Sequence, residues 1–490
     1  MGLEIDREEF EEGDYHRFSE RLHASVDALA ELLERPGFGA GPATIGAELE
    51  VSLVDDAGRP APRNVAVLGE SLDPRLTFEL DRFNLESNLR YGPLAGRPFD
   101  SLTGEMNDAL AEMTRAAHRQ GVHIAMIGIL PTLAEADLQS EAMTDTPRYR
   151  ALSASLRRLR QEPFRLDIRG EDTLDLRCDD VTYEGAATSL QIHLRVPPAD
   201  FARVYNAIQC TTPVVLALCA NSPTFLGRRL WDETRVALFK QAVDPRPRDA
   251  RGAQPARVSF GTGWIDGPLQ LFRDSVTDHS ALLPILDRED PAQVVAAGSV
   301  PRLAELRLHQ GTIWSWNRAI YDSADAGHLR IELRALPSGP TVDDMVASTA
   351  FHLGLALRLA GQFEDGQPPT RFEAVHHDFY RAAREGLAAD LAQPGAEPGT
   401  APAPVQAFGE ALLADAQKGL DAAGVERSDS APRLAVIERR LRRGTTGASW
   451  QRQALRAAEH RRPRAEALSA MFERYRALAG EGAPVADWPE

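Results

Sequence analysis

The stretch Ile45-Gly46-Ala47-Glu48-Leu49-Glu50-Val51 alternates acidic and apolar side chains within a run typical of a β-strand. Successive side chains of a strand point to opposite faces, so Glu48 and Glu50 share one face while the apolar residues share the other. A sheet that contains this strand would bury its apolar face and present carboxylates on its opposite face.

Two later runs repeat the pattern, residues 189–195 (SLQIHLR) and residues 328–334 (HLRIELR). The alternation predicts one polar face in each run, made of Gln191, His193 and Arg195 in the first and of Arg330, Glu332 and Arg334 in the second. Carboxylates, an imidazole and guanidiniums on one sheet face suit a divalent metal and phosphate groups. The three runs together therefore predict an enzyme.

The remaining pattern alternates helices with strands. Apolar spacing predicts helices over residues 16–34, 100–120, 148–160, 200–219 and 341–361. Residues 76–88 are predicted to form one extended, polar-faced strand, and residues 122–130 an apolar strand. Strands with a polar face cannot be buried on both sides, as a doubly wound parallel sheet requires. The pattern therefore favours an α+β fold with a largely antiparallel sheet, a polar active-site face and helices packed behind.

The length of 490 residues exceeds the size at which one core usually stops growing, so one large or two modest domains are expected. We predict a catalytic domain over residues 1–391, a Pro/Gly/Ala linker over 392–404 and a helical C-terminal segment over 405–490 that packs on the catalytic domain. The glycine-rich segment 37–41 leads into a strand rather than a helix, so we interpret it as a plain turn and not as a phosphate-binding loop.

The net charge of −17 argues against a nucleic-acid partner and against attraction to anionic membranes. No signal peptide or membrane span is predicted, and three cysteines without a CxxC pair indicate neither a disulfide framework nor a zinc site. These features predict a cytoplasmic protein that acts on small molecules. The oligomeric state is left open, with a homo-oligomer among the alternatives.

Lysine is nearly absent, with only Lys240 and Lys418 in the chain. A P-loop and a protein kinase each need a lysine on the phosphates, and neither lysine lies in such a motif. Any ATP bound by this protein must therefore be held by arginines and metal ions.

Five motifs follow one another in the order GAELE (46–50), NLES (84–87), TSLQIHL (188–194), WSWNR (314–318) and HLRIELR (328–334). This order resembles the glutamate–cysteine ligase type 2 family, carboxylate–amine ligases that share the glutamine synthetase fold. The resemblance covers about residues 40–360, and residues 444–451 look like the C-terminal loop of the family. Each motif alone is weak, whereas five in order are fairly specific.

The resemblance implies a glutamine synthetase-like fold that uses ATP with Mg²⁺, or with Mn²⁺ as the alternative metal. The implied metal ligands are Glu48, Glu50, Glu86, His193 and Glu332. Arg334 would hold the transferred phosphoryl group, and Arg318 would bind phosphate or a substrate carboxylate. Substrate- or nucleotide-binding roles are implied for Asn317, Gln191, Arg148 and Tyr149.

The implied reaction joins the γ-carboxylate of L-glutamate to an amine. L-cysteine is the leading candidate for the amine. The chain departs from some relatives at Gln191, where they carry a second histidine, and at Arg82, where they carry a second glutamate.

Two alternatives stay open: a phosphotransferase of the same fold type, and a non-catalytic sensor of nucleotide or amino acid. A lone acidic pair on a strand is most often a solvated surface feature, and a lone strand histidine is most often a core residue.

Overall fold

The computed structural model describes residues 5–160, 162–246, 254–363, 367–396 and 399–489. Its helices are α1 (Glu12–Leu33), α2 (Asn64–Leu68), α3 (Pro98–Arg119), α4 (Pro147–Arg160), α5 (Pro198–Cys219), α6 (Thr234–Ala242), α7 (Pro268–Asp278), α8 (Pro291–Ala296), α9 (Ala304–Gln310), α10 (Val342–Ala360), α11 (Phe372–Glu385), α12 (Val405–Ala422), α13 (Arg427–Arg443), α14 (Gly447–Glu459) and α15 (Arg464–Glu481). Its strands are β1 (Thr44–Val54), β2 (Leu76–Phe78), β3 (Asn84–Asn88), β4 (Gly92–Pro93), β5 (His123–Ala125), β6 (Phe164–Arg169), β7 (Thr173–Cys178), β8 (Leu190–Arg195), β9 (Thr224–Phe225), β10 (Arg228–Arg229), β11 (Asn317–Asp322), β12 (His328–Leu333), β13 (Asp390–Leu391) and β14 (Ala403–Pro404).

The alternating runs predict a largely antiparallel sheet, and the central sheet of the structure has 8 strands. Its order is β11-β12-β8-β1-β3-β2, and β4 and β5 also pair with β1. Every one of these pairings is antiparallel. The α+β class and the antiparallel sheet are confirmed.

The strand register brings the polar residues into neighbouring rows. Glu50 lies opposite Glu86, and Glu48 lies opposite Gln191 on the other side of β1. His193 lies opposite Glu332, which in turn lies opposite Arg318. The polar face therefore carries carboxylates at the β1–β3 end and an imidazole with a carboxylate and a guanidinium at the β8–β12–β11 end.

The opposite face of the sheet is apolar and covered by helices. Leu49, Val51, Ile192 and Ile331 are each fully buried. Helix α3 contacts β1, and α5 contacts β11 and β12. Helix α5 is buried from Val204 to Cys219, as expected for a helix that is apolar on all sides. The core thus lies behind the sheet and leaves the polar face free.

Helix α10 is the main support behind α5. The hydroxyl of Thr341 accepts a hydrogen bond from the Asp344 backbone at 3.1 Å and so caps the first turn. Asp343 and Asp344 in that turn also complement the positive end of the helix dipole. Helices α5, α12 and α13 all pack against α10.

The segment 76–88 is not one extended strand, and that prediction is wrong. It folds into β2 and β3, which pair with each other antiparallel. The turn between them is closed by a hydrogen bond from the Asn84 amide to the Asp81 carbonyl at 2.9 Å, with Leu80 and Phe83 buried beneath it. A hairpin forms because these apolar turn residues gain more from burial than they would on an exposed face.

The strand predicted over residues 122–130 is also shorter than expected, since only His123–Ala125 pairs with β1. Beyond Ala125 the same edge of β1 is taken by β8, with Leu49 opposite Leu190. The following residues turn away, and the Gly128 carbonyl accepts a hydrogen bond from the Thr188 amide at 3.0 Å. Competition for one strand edge therefore ends β5.

The C-terminal segment is joined to the rest by a buried ion pair. Arg440 of α13 donates to the Asp344 carboxylate at 2.8 Å, to the Asp344 carbonyl at 2.9 Å and to Ser348 at 2.9 Å. At the base of the segment, β13 pairs with β14 and so joins the two ends of residues 392–402. Within the residues that the structure describes, no helix is both long and apolar enough to cross a lipid bilayer.

The turn over residues 444–451 lies outside the cavity described below. Gly444 ends α13 in the left-handed conformation, and Thr446 caps α14 by accepting from Ser449 at 3.1 Å. Gln451 donates to the Asn221 side chain at 2.8 Å. This turn positions helices and does not face the polar side of the sheet.

Buried histidine predicts a loss of stability in mild acid. Burial lowers the pKa of His309 from an ordinary 6.5 to about 4. The contact with the Ser275 carbonyl raises this pKa, and the charge of Arg257 lowers it further. The unfolded chain therefore binds a proton at this residue below pH 6.5, whereas the folded chain binds it only near pH 4. The contribution of neutral His309 to stability is therefore full above pH 6.5 and is lost as the pH falls from 6.5 towards 4. We expect about 2 kcal/mol of loss from this residue between pH 7 and pH 5.

Urea unfolding at both pH values checks this expectation. The loss between pH 7 and pH 5 should be smaller by about 2 kcal/mol in His309→Gln than in the wild type. The exposed His16→Gln, with its side chain 78% accessible, is the matched control and should behave as wild type. An equal acid loss in His309→Gln and wild type would contradict the prediction.

Candidate active site

A cavity of about 760 Å³ lies on the polar face of the central sheet. Its floor is formed by β1, β3, β8, β11 and β12, and its walls by the start of α4, the end of α9 and loops near residues 79 and 184. The predicted residues that line it are Glu48, Glu50, Glu86, Arg148, Tyr149, Gln191, His193, Arg318, Glu332 and Arg334. The separate motifs therefore meet in one place.

Asn317 is the predicted residue that the structure places elsewhere. It is 1% exposed, and its amide donates to Gln209 at 2.5 Å and to Thr212 at 3.1 Å, both on α5. Neighbouring residues of a strand point to opposite faces, so Arg318 faces the cavity and Asn317 faces the helices. A contact of the Asn317 side chain with a ligand in the cavity is not compatible with this position.

The first cluster consists of Glu48, His193 and Glu332, whose nearest ligand atoms all lie within 4.8 Å of one another. His193 Nε2 lies 3.1 Å from Glu48 Oε1 and 3.8 Å from Glu332 Oε1. Burial opposes ionisation of Glu48, but the adjacent His193 prevails and holds the pKa of Glu48 far below its usual range. The cluster offers two carboxylates and one imidazole to a common point.

Glu332 is the most enclosed carboxylate of this group, at 1% exposure. Arg318 donates to both of its oxygens, at 2.6 and 3.0 Å, and Arg334 lies 3.2 Å from Oε1. Burial would raise the pKa of Glu332, but Arg318 and Arg334 outweigh burial and lower it to about 2. Glu332 is therefore ionised and fixes both arginines.

The second cluster consists of Glu50, Glu79 and Glu86, again with ligand atoms within 4.8 Å of one another. Glu50 accepts hydrogen bonds from the Gln191 amide at 2.7 Å and from the Ser189 backbone at 2.6 Å. Glu86 accepts from Asn88 at 2.8 Å. These bonds leave each carboxylate oriented towards the other two.

The carboxylates of the second cluster are close enough to disfavour ionisation. Burial, and then the charge of Glu79, raises the pKa of Glu50 to about 7. Burial, with Glu48 and Glu79 nearby, raises the pKa of Glu86 well above its ordinary value. A divalent cation between these oxygens would reverse both effects, because the cation favours the charged form. The donor set of both clusters suits a hard cation such as Mg²⁺ or Mn²⁺.

Two positive side chains stand at the edge of the clusters. Arg334 is hydrogen-bonded to the Gln191 oxygen as well as to Glu332. Arg148 and Tyr149 enter the cavity from the first turn of α4, and burial lowers the pKa of Arg148 and raises that of Tyr149. Arg334 is oriented by the neutral Gln191 and the acidic Glu332. A guanidinium held in this way suits a phosphate or a carboxylate ligand.

The opposite end of the cavity is lined by residues whose charges are already paired. Arg195 donates to the Ala40 carbonyl at 2.7 Å within the glycine-rich turn, and Arg330 donates to Asp322 at 2.8 Å. Arg330 thus balances Asp322 rather than Glu332. Gly46 lies against Tyr91, since a Cβ atom at Gly46 would approach the Tyr91 Cβ atom to 3.2 Å, and Tyr91 is 68% exposed.

Sequence reasoning missed several cavity residues, among them the carboxylates Glu79 and Glu184. Glu79 follows β2 directly, and the pairing of β2 with β3 brings it beside Glu86. The alternation Thr77-Phe78-Glu79 did carry a signal, but a single long strand would have placed Glu79 far from Glu86. Glu184 lies in the loop between β7 and β8, where no periodicity marks it. Arg82, by contrast, is exposed and outside the cavity.

The chain is similar in sequence to one known family of proteins. The sequence model of glutamate–cysteine ligase family 2 (GCS2) matches residues 44–473. A protein of Mycobacterium sp. (strain KMS) named "Putative glutamate--cysteine ligase 2-2" is 24% identical over 357 residues, which cover 71% of this chain and 79% of the relative.

Two solved structures share the fold. Glutamate–cysteine ligase from Francisella tularensis in complex with AMP has a TM-score of 0.58 at 12% identity, covering 92% of this chain and 96% of its own. A bifunctional glutathione synthetase from Pasteurella multocida has a TM-score of 0.51 at 13% identity, covering 93% of this chain and 54% of its own. At these identities the likeness concerns the fold, which is the one predicted.

Proposed function

The chain belongs to glutamate–cysteine ligase family 2 and is therefore an ATP-dependent carbon–nitrogen ligase, and we propose that it activates the γ-carboxylate of L-glutamate as an acyl phosphate and joins it to an amine such as L-cysteine. The observation that carries this proposal is the cavity in which two clusters of metal-binding side chains lie beside two oriented arginines.

The proposed reaction has two steps. A carboxylate oxygen of the substrate attacks the γ-phosphorus of ATP, an O–P bond forms and the bond to ADP breaks. The amine nitrogen then attacks the acyl carbon, the C–N bond forms and the C–O bond to phosphate breaks. The former ammonium group loses two protons, of which one leaves on HPO₄²⁻ and the other is released.

Arg334 and Arg318 supply positive charge where the phosphoryl group is transferred. Both guanidiniums are held by Glu332, with Arg318 bound through two hydrogen bonds. Charges that are already oriented need no reorganisation during the reaction, which is the main source of electrostatic catalysis. Proximity of the two bound substrates supplies much of the remaining rate, so a nucleophilic serine or cysteine is not required.

The two clusters are the proposed metal ligands, Glu48, His193 and Glu332 for one divalent cation and Glu50, Glu79 and Glu86 for another. Mg²⁺, with Mn²⁺ as the alternative, would supply positive charge there that neutralises charge developing during the phosphoryl transfer. Raised carboxylate pKa values in the second cluster support this assignment, because such a set of carboxylates is favourable only beside a cation.

Loss of one ligand should weaken metal binding directly. We expect Glu86→Gln to lower Mn²⁺ affinity by at least about 10-fold, because the amide oxygen is a neutral donor. Calorimetric titration with MnCl₂ in the absence of nucleotide measures this without recourse to activity. Glu31→Gln is the matched control, since Glu31 is 62% exposed on α1. Equal Mn²⁺ affinity in both variants would contradict the assignment of Glu86.

ADP release tests the proposed function. The purified protein is incubated with Mg²⁺-ATP and L-glutamate, with and without L-cysteine and a panel of other amines. We expect ADP to form only when a suitable amine is present. ADP that forms without any amine would instead favour hydrolysis or phosphotransfer, and absence of ADP with every amine would contradict the choice of L-glutamate.

A further inference from the structure

Glu184 is a cavity carboxylate that the proposed function has not yet used. Its side chain lines the cavity, and no residue that the structure describes forms a hydrogen bond or an ion pair with it. It belongs to neither group of metal-binding side chains among the described residues. Glu184 is half-buried, and a carboxylate in such a place is unfavourable without a partner unless a ligand provides the partner.

The backbone holds Glu184 in a fixed position. The Glu184 amide donates to the Val181 carbonyl at 2.9 Å, and the Glu184 carbonyl accepts from Ala187 at 3.1 Å. The next residue, Gly185, lies against the carboxylate of Asp81, where a Cβ atom would approach Asp81 Oδ2 to 2.6 Å. Asn84 of β3 also donates to the Gly185 carbonyl. The loop is therefore anchored to the sheet and keeps the Glu184 carboxylate in the cavity.

The surroundings of Glu184 carry excess negative charge. Burial, and then the negative charges of Glu79 and Glu50, raise the pKa of Glu184, and the charge of Arg334 opposes this rise. A cation beside Glu184 would stabilise its charged form. Arg334, however, is already bound to Glu332 and Gln191. Glu50 and Glu79 are assigned to a metal together with Glu86, whereas Glu184 has no cation assigned to it.

We propose that Glu184 binds the ammonium group of a substrate. This inference rests on the proposed function, in which the acceptor amine and L-glutamate each carry an ammonium group at neutral pH. An ammonium group donates hydrogen bonds and carries one positive charge, which matches a carboxylate to which the described residues offer no partner. Glu184 and Arg334, the residue proposed to hold the phosphoryl group, line the same cavity, so a nitrogen bound at Glu184 would lie in the cavity where the phosphoryl group is transferred.

The test compares Glu184→Gln with the wild type in the presence of Mg²⁺-ATP. We expect the KM for one ammonium-bearing substrate to rise by about 10- to 100-fold, since a charge-assisted hydrogen bond is lost. Two analogues lack the ammonium group, hydroxylamine in place of the amine and glutarate in place of L-glutamate. Their KM or inhibition constant should change by less than about 3-fold. A rise confined to the amine assigns Glu184 to the acceptor, and a rise confined to L-glutamate assigns it to the α-ammonium group.

Further variants separate binding from folding. Glu184→Asp keeps the charge and should recover part of the affinity. Glu135→Gln changes an exposed carboxylate of the short 3₁₀ helix Glu135–Leu138, and its KM values should equal those of the wild type. Mg²⁺-ATP affinity measured by calorimetry should be unchanged in Glu184→Gln. The inference is overturned if the KM of neither ammonium-bearing substrate rises. It is also overturned if the affinities for Mg²⁺-ATP and for the analogues without an ammonium group fall as much as those for the substrates. A wild type that forms no ADP with any amine refutes the proposed function instead.

Discussion

Glu332→Gln is expected to lower kcat/KM on the order of 10³-fold, which is the largest functional effect of a single substitution in this protein. Glu332 is fully buried, accepts two hydrogen bonds from Arg318 and lies within reach of Arg334 and His193. The substitution removes the charge of one proposed metal ligand, and the same charge holds both guanidiniums. Because Gln has nearly the same volume and keeps polar atoms, the protein should still fold.

ADP release at saturating Mg²⁺-ATP, together with near-UV circular dichroism, measures this effect. Glu31→Gln, an exposed carboxylate changed in the same way, should retain full activity. Retention of more than about a tenth of the activity by a folded Glu332→Gln would remove Glu332 from the catalytic site.

Arg440→Met is expected to lower the free energy of unfolding by about 3–5 kcal/mol, the largest effect on stability. Arg440 is 2% exposed, and its partner Asp344 is fully buried. The Asp344 carboxylate also accepts from the Val485 amide at 2.9 Å, so it joins α10, α13 and the last turn of the chain. Removal of the guanidinium leaves a buried charge without its cation, which is far more costly than the loss of an exposed pair.

The neighbouring Arg439 provides a matched control on the same helix. Arg439 pairs with Asp487 at 3.2 Å, but its side chain is 30% exposed. Arg439→Met should therefore change the free energy of unfolding by less than about 1 kcal/mol. Urea denaturation followed by circular dichroism compares the two variants. Equal effects would show that the pair of Arg440 with Asp344 is not the contact that holds α13 against α10.

Much of the site could be predicted from the sequence because side-chain alternation in a strand is a local property. Glu48, Glu50, His193, Glu332 and Arg334 all lie in runs with a period of two, and all line the cavity. The same alternation indicated which face of the sheet would be buried. The order of the motifs then favoured the family and fold that the comparisons support.

The residues that were missed depend on pairings between distant segments. Glu79 joins Glu86 only because residues 76–88 form a hairpin, and the turn that creates it has no glycine or proline signal. Glu184 is positioned by contacts of its loop with Asp81 and Asn84, which the sequence order does not reveal. Asn317 was assigned to the site from its neighbours in a motif, although strand alternation places it on the opposite face.

The transfer of isotope from the carboxylate substrate to phosphate tests the central claim most directly. L-glutamate labelled with ¹⁸O in its γ-carboxylate is converted with Mg²⁺-ATP and the best amine of the panel, and the released phosphate is analysed by mass spectrometry. An acyl phosphate predicts one ¹⁸O atom in each phosphate released, because the C–O bond of the former carboxylate breaks when the amine attacks. Unlabelled phosphate accompanying amide formation would contradict the acyl phosphate and with it the role assigned to this cavity.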